Sequence, residues 1–414
     1  MRGGSALSLL LLSGLPGQPR EWQETSAWRF LPSASIAYDS FGQRYVIADE
    51  DTLDLVQETS GRLCTALERR GRTEFSLRNT LGIGEQATRD DLELRLRRQI
   101  GTAELQIAAD WRWKAYRSQS AYVLSSDYQL AALHPQFSWR LFPEWRLRVE
   151  DRSEWAHFAR RTRYNYDYSV HDAGATVERS YGLLSLLGLG YTHGRRSVPD
   201  STQIDYRRHL LLCDWSHEAG AHTVRLDQRL ERRLYADPRV RSHFLEFDAG
   251  LGLRLALRPQ LRLRPEYRAD LLRYDTPDSV YSSYSEQAFE VLLERDFGDR
   301  TTFALGPRAE FRRTSSTIDR AYDQWGLKGS VSFLSGTRLW VEFSDEVGVR
   351  RHLAGEDLFF SDYVFNWSTL YLSCELWPGL AFDLFFSLDP ENHTIHADDT
   401  TTILVSTSLT YGWR

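Results

Sequence analysis

Residues 224–234 read VRLDQRLERRL, and two classes of side chain alternate along this stretch. The even positions are mostly leucine or valine, and the odd positions are all charged: Arg225, Asp227, Arg229, Glu231 and Arg233. Successive side chains of a β-strand point to opposite faces, so a strand here would have one apolar face and one charged face. A helix would scatter the same charges around most of its circumference. The stretch therefore predicts a long β-strand.

The same period of two recurs elsewhere in the chain. Apolar residues alternate with charged residues over 261–271 and again over 145–154. Residues 91–97 repeat the pattern with leucine at every second position. A hydrophobic period of two over several segments indicates a sheet with one apolar face.

Turn residues divide the chain into strands of roughly 12 to 16 residues. Glycine or proline marks tight turns at 70–71, 142–144, 219–220, 258–260, 298–300, 335–337 and 377–379. Longer polar connections lie between them, at 198–202, 236–241, 275–283, 315–320, 354–357 and 389–398. Counting strands gives about 18 from Arg72 onward, and a preceding hairpin at 35–48 and 52–69 makes about 20. Tight turns that alternate with longer loops are typical of outer-membrane barrels.

The composition agrees with a barrel, although it is polar for a membrane protein. The chain is 42% hydrophobic and 26% charged, and its mean hydropathy is −0.47. Only every second residue of a membrane barrel faces lipid, so its average composition stays polar. The fold class predicted is all-β: a transmembrane antiparallel up-and-down β-barrel of about 18–20 strands. A net charge of −6 argues against a nucleic-acid partner.

The last strand, residues 401–414, carries the clearest resemblance to a known family. Its apolar positions alternate and end in aromatic residues: Ile403, Val405, Leu409, Tyr411 and Trp413. This resembles the C-terminal strand of bacterial outer-membrane β-barrel proteins, although those usually end on the aromatic residue and this chain adds Arg414. The resemblance is to a porin-like architecture, and no subfamily is identified. It implies a location in the bacterial outer membrane, among outer-membrane lipids.

The N-terminus is expected not to form part of the barrel wall. Arg2 precedes the apolar run Ala6–Leu12, an order typical of an export signal. Residues 1–20 are therefore predicted to be an export signal or a disordered N-terminus. Residues 21–34 are expected in the periplasm or in the lumen, and residues 35–414 form a single transmembrane barrel.

Aromatic residues are expected to form two girdles at the membrane interfaces. Those near the predicted periplasmic ends are Trp139, Trp145, Trp377 and Trp413, and those near the opposite ends are Trp155, Tyr206, Tyr235, Tyr274 and Tyr284. Pro265 and Pro307 fall inside predicted strands. Because proline lacks the N–H that a ladder needs, each is expected to mark a β-bulge.

The charged faces of three strands are predicted to line a pore. Of 51 basic residues only Lys114 and Lys328 are lysine, so the lumen is expected to be rich in arginine. An arginine-rich wall can set ion or solute selectivity. Alternatively, the mixed charges pair across strands and simply make a wettable lumen, with Glu286, Glu290 and Glu294 balancing the arginines. The predicted pore-lining residues are Arg146, Arg148, Arg152, Arg225, Asp227, Arg229, Glu231, Arg233, Arg262, Arg264, Glu266, Arg268 and Asp270.

No catalytic, cofactor or metal site is predicted. The sequence lacks the motifs of serine hydrolases, zinc proteases and phosphate-binding loops. Cys64, Cys213 and Cys374 show no metal-ligand spacing and allow at most one disulfide. His209 and His243 are interpreted as polar residues of the barrel wall.

The function predicted first is an outer-membrane channel for passive diffusion of ions or small hydrophilic solutes, without a cofactor. An alternative is a structural barrel that sheathes or docks a partner protein. An outer-membrane hydrolase, with a triad assembled from different strands, is a weaker alternative. Partners beyond lipids are a second copy of the chain or a docked protein.

Overall fold

The computed structural model describes residues 28–47, 50–84, 87–116, 127–160, 165–182, 185–277, 281–314, 321–336, 338–353 and 361–413. The export signal predicted over residues 1–20 lies outside this range. Among the described residues, no helix is both long and apolar enough to cross a membrane. Apart from two short 3₁₀ turns at Thr202–Ile204 and His396–Asp398, the elements are β-strands.

Twenty strands follow one another along the chain. The first ten are β1 (Trp28–Ile47), β2 (Glu50–Arg69), β3 (Thr73–Gly84), β4 (Ala87–Ile100), β5 (Ala103–Tyr116), β6 (Tyr128–Phe142), β7 (Trp145–Phe158), β8 (Tyr168–Ser180), β9 (Leu186–Ser197) and β10 (Tyr206–Ala219). The others are β11 (His222–Tyr235), β12 (Phe244–Arg258), β13 (Leu261–Tyr274), β14 (Tyr284–Phe297), β15 (Thr301–Thr314), β16 (Tyr322–Ser335), β17 (Leu339–His352), β18 (Tyr363–Trp377), β19 (Leu380–His393) and β20 (Thr400–Trp413).

Each strand pairs antiparallel with its neighbours in sequence, and β1 also pairs with β20, which closes the sheet into a barrel. The predicted fold class is confirmed, with the larger of the two strand counts. The first hairpin exists as β1 and β2, but β1 begins at Trp28 rather than near Ser35. Residues 28–34 therefore belong to the barrel wall and not to the N-terminal segment that was expected to end at residue 34.

The two ends of the barrel differ in the length of their connections. Six glycines with positive φ lie in short turns at one end: Gly71, Gly101, Gly220, Gly298, Gly336 and Gly379. Gly101 (φ 60°) and Gly220 (φ 64°) show the reason, since two-residue turns place a residue in the left-handed region that glycine adopts without strain. Trp28 and Trp413 lie at this short-turn end, and the opposite end carries the longer loops.

Four prolines interrupt the ladder without shifting its register. Two consecutive pairings are missing on one side of each of them: Pro135 in β6, Pro265 in β13, Pro307 in β15 and Pro390 in β19. Pairing with the other neighbouring strand continues through each proline. The expectation that Pro265 and Pro307 mark bulges is therefore wrong. Proline removes a donor from one ladder but inserts no extra residue.

True register shifts occur near short turns instead, at Arg140/Phe142, Ala256/Arg258 and Glu375/Trp377. They lie where a strand meets a tight turn, a position at which an extra residue disturbs few pairings.

The outer face of the barrel is apolar, as the alternation predicts. Leu211, Leu293, Trp325 and Leu327 are all exposed on it. In β20 the outward positions are odd, so Ile403, Val405, Leu409 and Tyr411 share this face.

The prediction of an aromatic girdle at the loop end is partly wrong. Trp155 is exposed on the outer face, but four tyrosines expected beside it point inward: Tyr206, Tyr235, Tyr274 and Tyr284. Tyr235 packs with Phe244 and Leu272 in an inward cluster that includes the other three tyrosines. The girdle was predicted from which aromatic residues lie near a strand end. Whether a residue faces inward or outward depends instead on its odd or even position within the strand.

Candidate functional site

All thirteen predicted pore-lining residues lie on the inner face of the barrel. Residues directly opposite each other in antiparallel strands share a face. Arg146 in β7 is opposite Glu178, Arg229 in β11 is opposite Asp248, and Asp248 in turn is opposite Asp270 in β13. The even positions of β7 and β13 and the odd positions of β11 therefore face inward together.

Glu231 anchors the charges of β11. Its side chain is completely buried, with a relative exposure of 0%. Arg229 donates a hydrogen bond to it at 2.5 Å from two residues away, and Arg233 donates from the other side. Three consecutive inward side chains of one strand thus form a closed cation–anion–cation unit.

The arginines of β13 pair with acidic residues of β14. Arg262 contacts Asp296 at 2.7 Å and Glu294 at 3.4 Å. Arg264 contacts the same Glu294 and reaches Glu266 at 3.1 Å. Acidic residues of β14, which were predicted to balance the arginine charges, therefore form ion pairs with the arginines of β13.

The β7 residues belong to a separate part of the wall. Arg146 and Arg148 share Glu178 of β8, at 3.9 and 3.4 Å. Arg152 contacts Glu154 at 3.1 Å and keeps 60% of its side chain exposed. Among the described residues, every predicted pore-lining arginine except Arg225 has a carboxylate within salt-bridge distance.

Five of the predicted residues are brought together around one recess of the inner wall, of about 580 Å³. They are Arg225, Asp227, Glu266, Arg268 and Asp270. Arg268 is open to solvent, since 77% of its side chain is exposed. Asp270, Glu246 and Asp248 place carboxylate oxygens within 4.8 Å of one another, the spacing and oxygen chemistry that suit a hard cation.

A charge network that was not predicted from the sequence spans β14 to β17. Arg308 contacts Glu310 at 2.8 Å and Glu346 at 2.9 Å, and Lys328 contacts Glu290 at 2.8 Å. The signal was available, because Arg308, Glu310 and Arg312 alternate with apolar residues in β15. Pro307 immediately before them obscured it.

The inward tyrosines of the loop end form a repeated unit with a carboxylate and an arginine. Tyr284 donates a hydrogen bond to Asp270 at 2.8 Å, and Arg312 lies 4.4 Å from its ring centroid. Tyr168 has the same relation to Glu154 and Arg196. In both units the tyrosine follows the carboxylate by fourteen residues and the arginine follows after a further twenty-eight. Fourteen residues correspond to the step from one strand to the next and twenty-eight residues to one hairpin. The unit therefore recurs at equivalent positions of different hairpins.

A second and larger recess, of about 1280 Å³, lies toward the short-turn end. Its lining includes Arg69, Arg72, Arg95 and Arg97, and Arg152 is the only one of the predicted pore-lining residues in it. The inner face thus presents arginines to open space on both sides of the barrel.

Three serine–histidine contacts among the described residues bear on the hydrolase alternative: Ser153 with His171, Ser185 with His217, and Ser361 with His393. Ser153 Oγ lies 2.9 Å from His171 Nδ1 on the outer face. Asp151 is 3.0 Å from the serine Oγ, so this carboxylate accepts from the hydroxyl and does not orient the imidazole. A catalytic triad needs the carboxylate on the histidine. Of the three contacts, Ser361–His393 has a carboxylate near the imidazole, since Glu391 lies 3.5 Å from His393 Nε2, while Asp398 accepts from the Ser361 hydroxyl at 3.0 Å.

Comparison with known proteins identifies the architecture. No protein-family model matches the sequence, and no curated protein is significantly similar to it. Among solved structures, the alcaligin outer membrane receptor FauA of Bordetella pertussis has a TM-score of 0.57 at 12% identity, with 91% of this chain and 76% of FauA covered. The ferric enterobactin receptor PfeA of Pseudomonas aeruginosa has a TM-score of 0.53 at 10% identity, with 91% and 80% covered. At these identities, both similarities show a shared fold alone.

This chain has the fold of a bacterial outer-membrane β-barrel. OpdK of Pseudomonas aeruginosa aligns over 92% of this chain and 99% of its own length, at 11% identity and a TM-score of 0.48. In outer-membrane barrels the tight turns lie on the periplasmic side and the longer loops lie outside the cell. In such a barrel an apolar outer face suits contact with lipid, and the inner face, which is charged in this chain, surrounds the lumen.

Proposed function

We propose that this barrel is a porin-like channel through which ions or small hydrophilic solutes diffuse passively along an arginine-rich lumen. The observation that carries the proposal is the closure of twenty strands around a charged inner face. Barrels of 16 to 18 strands already leave an aqueous channel, and the diameter grows with strand number. Every strand in the described part of the chain belongs to the wall, and none crosses the lumen.

The charges of the wall support a hydrated passage. Buried carboxylates such as Glu231 fix neighbouring arginines in place, while Arg152 and Arg268 keep most of their side chains exposed. Fixed charges of both signs keep water in the lumen, and the exposed guanidinium groups attract anions. This mechanism needs neither a cofactor nor a chemical step.

The scaffold alternative differs in what fills the lumen. A partner protein would cover the same inner face and abolish diffusion. Purification of the barrel from its native membrane distinguishes the two, since a scaffold would carry a stoichiometric second protein and a channel would not.

Swelling of proteoliposomes in a series of uncharged sugars tests the channel directly. The barrel is expected to pass monosaccharides quickly and larger oligosaccharides progressively more slowly. Liposomes that contain the barrel after heat denaturation serve as the control. Swelling no faster than in protein-free liposomes, with correctly inserted barrel, would contradict the channel.

A further inference from the structure

The lipid-facing surface carries a group of basic side chains at the loop end of β8, β9 and β10. We call it the outer basic patch, and its members are His171, His193, Arg195, Arg207 and His209. All but His209 are exposed. Most of this surface is apolar, so a group of five basic side chains on it requires a specific explanation.

The patch is built from like groups placed directly opposite each other. Arg195 of β9 is opposite Arg207 of β10. In the next pair of outward-facing residues, one step toward the membrane centre, His193 is opposite His209. The two imidazole rings lie 4.9 Å apart between centroids. His171 of β8 is opposite Arg195 on its other side. Like charges directly opposite each other destabilise a sheet, so the pairing calls for an anion from outside the chain.

Two other outward arginines of the loop end, Arg232 and Arg313, have carboxylate partners within the chain. Arg232 forms a two-pronged contact with Asp275, at 2.8 and 2.5 Å, and this contact holds the pKa of the Asp275 carboxyl below its usual value. Arg313 contacts Asp323 at 2.7 Å. Among the described residues, no carboxylate forms an ion pair with Arg195 or Arg207.

The inward arginines next to Arg195 and Arg207 in sequence do have partners within the chain. Arg208, next to Arg207, contacts Asp172 at 2.6 Å inside the barrel. Arg196, next to Arg195, stacks on the inward Tyr168 at 4.7 Å. Each arginine doublet therefore has one member satisfied within the lumen and one directed at the membrane.

Apolar side chains lie directly below the patch, toward the membrane centre. Tyr191 and Leu211 are opposite each other one row further in, and Leu189 follows on β9. All three are exposed on the outer face. The Tyr191 hydroxyl also contacts His209 Nδ1 at 2.8 Å, which joins the apolar row to the patch.

We propose that the outer basic patch binds the phosphate-bearing headgroup of a membrane lipid whose acyl chains lie on Leu189, Tyr191 and Leu211. A phosphate placed between Arg195 and Arg207 neutralises both guanidinium groups and accepts charge-assisted hydrogen bonds from them. The complementarity has two parts, since an anion meets cations at the interface and hydrocarbon meets apolar side chains below it. The site is independent of what passes through the lumen.

The test uses the full barrel in detergent micelles, with dihexanoyl phosphatidic acid as the anionic lipid and dihexanoyl phosphatidylcholine as the zwitterionic one. Binding is measured by native mass spectrometry for the unaltered barrel and for the double variant Arg195→Gln/Arg207→Gln. The matched control, Arg313→Ala/Arg351→Ala, removes two outward arginines that flank Asp323 instead. A third variant, Arg195→Lys/Arg207→Lys, keeps the charge.

The unaltered barrel, the control and the lysine variant are expected to bind phosphatidic acid, and the glutamine variant to bind it roughly tenfold more weakly. Equal binding by the glutamine variant would overturn the proposal. So would full competition by inorganic phosphate at equal concentration, which would show an anion site without a lipid. A loss of dimerisation in the glutamine variant, with lipid binding unchanged, would assign the patch to a second copy of the chain. A folded state is verified by heat-modifiable migration on gels.

Discussion

Glu231 shows how a single inward residue organises the lumen wall. It is completely buried, and it receives hydrogen bonds from Arg229 and Arg233 of the same strand. The sequence places all three on one face, because their spacing is two. It does not show that Glu231 is the shared partner, since burial depends on the neighbouring strands. A carboxylate held in this way stabilises the barrel and also sets where the two guanidinium groups point.

Substitution of Glu231 by alanine is expected to lower the free energy of unfolding by about 2 kcal/mol, because Arg233 would stay largely buried without its carboxylate while Arg229 keeps access to water. Glu266→Ala is the comparison, since 28% of the Glu266 side chain is exposed and its closer partner Arg264 would keep the carboxylate of Glu294. That variant is expected to lose less than about 1 kcal/mol. Urea unfolding in phospholipid vesicles, followed by tryptophan fluorescence, measures both. Equal losses would contradict the anchoring role of Glu231.

At the scale of the strand, alternation was readable from the sequence and local irregularity was not. The period of two gave the inward face of β7, β11 and β13. The four ladder gaps at prolines, by contrast, depend on which neighbour each proline N atom faces. The inward tyrosines also escaped prediction, because a shift of one residue in the start of a strand exchanges its faces. Pairing partners likewise depend on the register between strands, which no single segment encodes.

Gly306 tests the account of these gaps. It precedes Pro307, and a Cβ at this position would lie 1.8 Å from the carbonyl oxygen of Val291 in β14. Gly306→Ala is therefore expected to lower the free energy of unfolding by about 2 kcal/mol, because two backbones would have to separate. Gly252→Ala in β12 is the control, since nothing lies within 4 Å of its Cβ position. The same urea titration applies, and equal stability of the two variants would show that β14 and β15 do not approach so closely.

At the scale of the molecule, the sequence predicted the barrel, its strand number within two and the asymmetry of its ends. It also separated an apolar face from a charged one along the clearest strands. The recesses of the lumen were not predictable, because they form where residues such as Arg225 and Asp270 meet from strands that are not adjacent. For the outer basic patch, the sequence offered one indication, which is that neither face of β10 is cleanly apolar. The patch itself could not be predicted, because it forms only where the outward residues of β9 lie directly opposite those of β10.

The central claim is that the charged face surrounds an open, water-filled lumen. Single-channel conductance of the purified barrel in a planar bilayer tests it most directly, together with the reversal potential in a salt gradient. We predict stable ohmic steps, and a shift of selectivity toward cations when Arg225, Arg229, Arg264 and Arg268 are all replaced by glutamine. The Arg313→Ala/Arg351→Ala control should leave selectivity unchanged, because those side chains lie outside the lumen. Correctly inserted barrel that conducts no current would contradict the account.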